Sequence, residues 1–190
     1  MLVPLRRLVL RARHVRSRAD ELVDVYDRLR SAGGAFGDEE RELATELRAL
    51  KIRVSAMLAD VSSCGRCANG KPAPRGVFSG GDCCSSITAE LFDDDELAAL
   101  AAGGTRAGDL RAPTAAHAGC AFRGAMGCTL TAGDRPVRCV RYTCGTLRRE
   151  IHARGDLAVI EELLAELRAM MERFLALRSA RLDDELLGPD

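Results

Sequence analysis

Apolar residues recur through the first thirty positions at Leu5, Leu8, Ala12, Val15, Ala19, Leu22, Tyr26 and Leu29, in steps of three and four. That period lines up one stripe of side chains on a helix face, the pattern of helices packed side by side. The spacing predicts a helix that stops between residues 31 and 37, where Gly33, Gly34 and Gly37 interrupt it. Asp38 is placed to cap a second helix, whose seam runs Leu43, Leu47, Leu50, Val54, Met57 and Val61. A short turn between two such helices predicts an antiparallel hairpin. A third helix is bracketed by Gly155-Asp156 and Gly188-Pro189. Its apolar face, Leu157, Ile160, Leu163, Leu164, Leu167, Met170, Met171, Phe174 and Leu177, is wide enough to pack on two neighbours.

The expected fold is therefore mainly α. An N-terminal helical hairpin (1–62) and a long C-terminal helix (147–190) form a three-helix bundle, and residues 63–146 form a loop-rich insertion. Within that insertion only ITAELFDDDELAALAAGG carries helical signal, with Asp93 and Glu96 as a capping box and Gly103 as the stop. The acids Asp93, Asp94, Asp95 and Glu96 read as helix-start charges rather than as a hard-cation site.

Composition supports this picture. The chain has 190 residues and is 47% hydrophobic, so it can bury a core, but aromatics are 4% and Trp is absent. Leu, Ala and Val must do the packing, which favours helices over a β-sandwich. The 28 basic and 28 acidic side chains balance, which removes any global attraction to nucleic acid or an anionic membrane. The basic stretch Arg6, Arg7, Arg11, Arg13, Arg16 and Arg18 reads as the polar face of the first helix. With no bilayer-length apolar run and no secretory h-region, the expected location is cytoplasmic. Arg dominates the basic residues, and only Lys51 and Lys71 are lysines.

That location changes the reading of the cysteines. In a reducing compartment, eight thiols point to metal ligands or redox groups before disulfides. All eight lie in the insertion: Cys64, Cys67, Cys83, Cys84, Cys120, Cys128, Cys139 and Cys144. Cys64-Gly65-Arg66-Cys67 is a CxxC, which lets two sulfurs reach one ion at about 2.3 Å. A thioredoxin-like role would need a strand-to-helix setting, whereas this CxxC follows a helix and precedes a glycine-rich loop. The adjacent Cys83 and Cys84 cannot easily close a relaxed disulfide with each other. The other four complete two sets of four, the number needed by a tetrahedral thiolate site or a cubane. A long loop-rich segment is costly unless tied down, and bound metal converts binding energy into folding energy. His117, three residues before Cys120, reads as a loop residue, and His14 and His152 read as solvent-facing. Tyr142 and Phe122 read as shielding groups.

These residues resemble a known family. Cys64-x2-Cys67, Cys83-Cys84, Ile87-Thr88-x-Glu90, Gly119-Cys120-Ala121-Phe122, Gly127-Cys128 and Arg135-Pro136-x2-Cys139 are similar to the CxxCxxCC, or YkgJ-type cysteine cluster, proteins. The resemblance covers residues 64 to 144 and implies a zinc- or iron-chelating domain with eight cysteine ligands. The family keeps two residues between its CxxC and CC. This chain has residues 68–82 there, so the resemblance implies that they loop out. It also implies an alternative function, because the family includes flagellin lysine methylases, which are protein-modifying enzymes. Arg135-Pro136 reads as a rigid turn aiming Cys139, its guanidinium bonding carbonyls or a carboxylate such as Glu90.

Thiolates alone leave zinc and iron both open, with irregular spacing and the CC pair leaning toward an iron–sulfur cluster. The expected function is a metal-binding cysteine-cluster protein carried on a helical bundle, its metal structural or redox-active. Partners are expected to be another protein or a second copy, met through the helices. Zero net charge and few aromatics argue against nucleic acid.

Overall fold

The computed structural model describes residues 17–61, 88–114, 119–124 and 127–188. The chain is mainly helical, with one small two-stranded sheet among the described residues. Helix α1 spans Arg18–Ala32 and begins at a reciprocal cap. The Ser17 hydroxyl accepts the Asp20 N–H at 3.2 Å, and Asp20 Oδ2 takes the Ser17 N–H at 3.0 Å. This capping box starts a helix here, so the expected continuous helix from Leu5 is interrupted at Ser17. The seam positions Leu5, Leu8, Ala12 and Val15 lie outside the described residues.

Helix α2 spans Asp38–Met57 and buries Leu43, Leu47, Leu50 and Val54, the expected stripe. Its cap differs from expectation. Asp38 is the first helical residue and pairs with Arg41, while the Glu40 carboxylate takes the Gly37 N–H at 2.6 Å. Glu40 is buried and also receives Arg181 Nε at 2.8 Å, so one side chain both caps α2 and ties it to the last helix.

The other helices are α3 (Thr88–Leu91), α4 (Asp94–Ala102), α5 (Val137–Arg141), α6 (Gly145–Ala153) and α7 (Leu157–Leu187). Strands β1 (Arg123–Gly124) and β2 (Gly127–Cys128) pair antiparallel, with Arg123 opposite Cys128 and Gly124 opposite Gly127. Helix α7 runs antiparallel along α2. Arg181 reaches Glu40 near one end, and Arg154, just ahead of α7, donates to the Met57 carbonyl near the other. Between these ties Leu163, Leu167, Met171 and Phe174 join the α2 stripe in one buried cluster.

The contacts depart from the expected hairpin. Helix α1 packs mainly on α4, not along α2 and α7. Its buried face is Val25 and Leu29, flanked by Leu22 and Tyr26, and it meets Leu91, Phe92, Leu97, Leu100, Phe122 and Leu130 in a second cluster. The reason is competition for one surface. The α2 stripe is already covered by the broad face of α7 and by Ala98, Ala99, Val137 and Val140 from α4 and α5. The middle of the chain is consequently built into the core, with α4 contributing to both clusters. Close approach makes this fit possible at Gly103, just after α4, where a Cβ would lie 3.0 Å from the Ala44 carbonyl oxygen. Among the described residues no helix is long and apolar enough to cross a membrane.

Candidate metal centre

The four C-terminal cysteines can be placed: Cys120 is buried, Cys128 exposed, and Cys139 and Cys144 intermediate. Cys64, Cys67, Cys83 and Cys84 lie outside the described residues, as do His14 and His117.

Cys120 sits in a turn held from two sides. The Thr88 hydroxyl accepts the Ala121 N–H at 2.9 Å and donates to Glu21 Oε2 at 2.5 Å, while Arg18 Nη2 donates to the Ala121 carbonyl. Two motif pieces more than thirty residues apart, Thr88 and Cys120-Ala121-Phe122, therefore meet in space. Phe122 packs between Tyr26 and Phe92, with ring centroids 6.4 and 5.1 Å away, and fixes the turn from below. Burial pushes the Cys120 thiol up to about 12. The neighbouring Cys128 adds to the rise, and hydrogen bonds with Phe122 and Thr88 offset part of it. Burial favours the neutral thiol here, and a bound metal cation would favour the thiolate.

Cys128 stands on β2 opposite Arg123, a side chain only 2% exposed. Cys139 lies on α5 and packs against the second cluster, the one containing Cys120. Cys144 belongs elsewhere. Its sulfur caps α6 by accepting the Leu147 N–H at 3.4 Å, and it packs with Leu147, Ile151, Ile160 and Val61 in a third cluster.

Of the described cysteines, Cys120 and Cys139 thus belong to one cluster and Cys144 to another, with Cys128 exposed on β2. Among the described residues no three His, Cys, Asp or Glu side chains converge closely enough to hold an ion. His152 is exposed as expected. Phe122 is fully buried next to Cys120 in the turn, whereas Tyr142 is 48% exposed.

Of the two partners expected for Arg135, the turn before Cys139 uses the carbonyl. Arg135 Nε does bond a carbonyl, that of Leu130 at 3.1 Å. Glu90 offers its backbone instead, its carbonyl accepting Arg138 Nη1 at 2.5 Å. Three charged residues not singled out as site groups hold the rest. Asp134 accepts from Arg48, Thr105 and Thr131. Lys51 donates to the Arg135 carbonyl at 2.8 Å. Glu96 accepts the Val137 and Arg138 N–H groups at 2.6 and 2.9 Å. Burial lowers the Lys51 amine to about 8, with Glu96 and Asp134 opposing that fall, and burial raises the Glu96 carboxyl. Glu96 was expected to close a capping box with Asp93. Only half forms, the Glu96 N–H meeting Asp93 Oδ1 at 2.9 Å, because the carboxylate has turned to α5.

A groove of about 480 Å³ runs beside α5, with Arg138, Arg141, Arg168 and Glu172 around Val137 and Met171. Comparison of the chain with protein-family models, curated proteins and solved structures gave no match.

Proposed function

We propose that this chain is a cysteine-cluster metal-binding protein whose eight cysteines hold zinc or iron, the metal serving a structural or redox role. One observation carries the reading. Residues 62–87, which contain the other four cysteines, are bounded by Val61 and Thr88, and each of these belongs to a part of the body that also holds a described cysteine. Val61, at one end, packs on the same cluster as Cys144, and the Thr88 hydroxyl, at the other, holds the Ala121 N–H next to Cys120. Cys64 and Cys67 follow Val61 by three and six positions, and Cys83 and Cys84 precede Thr88 by five and four. Such anchoring suits two separate centres, one drawing on Cys144 and the other on Cys120, Cys128 and Cys139, each completed from the connecting segment. The YkgJ-type resemblance points to the same ligand set, and on this reading the inserted cysteine region is a metal-folded part of the helical body. A protein-modifying enzyme of flagellin lysine methylase type is the alternative, with the groove beside α5 as its surface for substrate.

The test is metal and acid-labile sulfide analysis with an absorption spectrum on protein purified without oxygen. Iron with sulfide and a broad visible band identifies a cluster, and zinc with a colourless solution identifies closed thiolate sites. Cys120→Ser and Cys144→Ser are each expected to lose part of the bound metal, and the double variant more than either. A folded protein with no metal and eight free thiols overturns the reading.

A further inference from the structure

Helix α2 presents Arg48 and Lys51 one turn apart toward the segment that leads into Cys139. Arg48 Nη1 reaches Asp134 Oδ1 at 2.7 Å and Thr105 Oγ1 at 2.9 Å, which fixes the turn Ala132–Asp134. Lys51, only 4% exposed, donates to the next backbone carbonyl, that of Arg135. From α4, Glu96, 6% exposed, takes the first two free N–H groups of α5. Val137 and Val140 then anchor the other face of α5 in the main core. Residues 131–138 are therefore tied to the helical body through both backbone and side chains, immediately before the sulfur of Cys139.

A five-residue helix has too few internal hydrogen bonds to hold its own shape, so something external must fix it. Apolar packing alone could do that, and buried charges are a costly substitute that often adds no net stability. What a buried lysine and glutamate add is direction, since each fixes a particular backbone carbonyl or N–H at hydrogen-bond distance. Groups that orient a metal ligand in this way commonly change metal affinity tenfold or more when lost.

We infer that Lys51 and Glu96 are positioning residues for the metal centre, holding the Arg135–Arg138 backbone so that Cys139 is presented as a preorganised ligand. This rests on the metal-binding reading above. It gives the helical body a role in metal affinity, although neither residue is itself a ligand.

The experiment is zinc titration of the reduced, metal-free full-length chain under nitrogen, in competition with a chromogenic chelator, alongside thermal unfolding. Lys51→Met and Glu96→Gln are compared with Val54→Ala, a fully buried apolar change on α2. Both charge variants are expected to bind zinc about ten- to a hundredfold more weakly. Val54→Ala is expected to lower thermal stability and leave zinc affinity within about twofold. Cobalt substitution supplies a second readout, with altered visible bands in the charge variants and unchanged bands in Val54→Ala. If Lys51→Met does not fold, Glu96→Gln decides alone. Equal zinc affinity and equal cobalt spectra in wild type and charge variants would overturn this inference and leave the metal reading standing. A folded wild-type chain that takes up neither metal would overturn both.

Discussion

Asp134 shows how much a single side chain carries here. It is 2% exposed, and burial by itself would raise its carboxyl. Hydrogen bonds from Thr131, Thr105 and Arg48, with the charge of Arg48, instead hold it below the usual carboxylate range. A carboxylate depressed in the folded state stabilises the protein above its unfolded value, about 4, and that contribution fades as pH falls through the lower folded value. Asp134→Asn is expected to cost about 1.5–3 kcal/mol at neutral pH, the worth of hydrogen bonds to a charged group. Urea unfolding across a pH series checks it, with the gap to wild type closing only in the acid range. A constant gap from pH 7 to pH 2 would show that the carboxylate charge is not what matters. At this scale the sequence was only partly readable. The cysteines stand out by chemistry and clustering, whereas Glu96 looks like a capping residue. Its turn toward α5 depends on a neighbour forty residues away. Lys51 carried one usable signal, as one of two lysines in an arginine-rich chain.

Elements with a broad, regular stripe were readable, because burial on one helix face imposes its period on the residues. All the buried residues of α7 lie on its expected stripe, and so do Leu43, Leu47, Leu50 and Val54 of α2, while Met57, Leu157, Leu164, Met170 and Leu177 are only half-buried. Helix α1 was misjudged for a physical reason. Its stripe admits two neighbouring registers, and the one used centres on Val25, leaving Ala19 exposed. Local pattern does not say which partner offers a complementary surface. The approach of α4 to α2 depends on Gly103, where an added methyl meets backbone that cannot swing aside. Gly103→Ala is expected to cost about 1–3 kcal/mol by overpacking. A urea midpoint equal to wild type would show that the two helices separate freely.

Across the molecule, α7 is longer than the body that supports it. Its 31 residues span about 46 Å, against about 30 Å for the 20 residues of α2. The Arg181 tie to Glu40 comes near its last turns, and beyond it Leu186 and Leu187 are 83% and 86% exposed. Replacing both by Ser is expected to move unfolding free energy by no more than about 0.5 kcal/mol, the usual range for surface changes. A larger loss would mean that this tip is covered in solution. The pairing of α2 with α7 has a further consequence, in time rather than in stability. Glu40 and Arg181 are 141 positions apart, so the most extensive helix pairing among the described residues joins segments far apart along the chain. Closing such a loop is an entropic obstacle that grows with length, and folding rates fall as contacts become less local. Helices alone would predict fast assembly, but this topology makes the chain wait for its two ends to meet. Metal bound by the intervening cysteines would shorten that search before the ends ever touched.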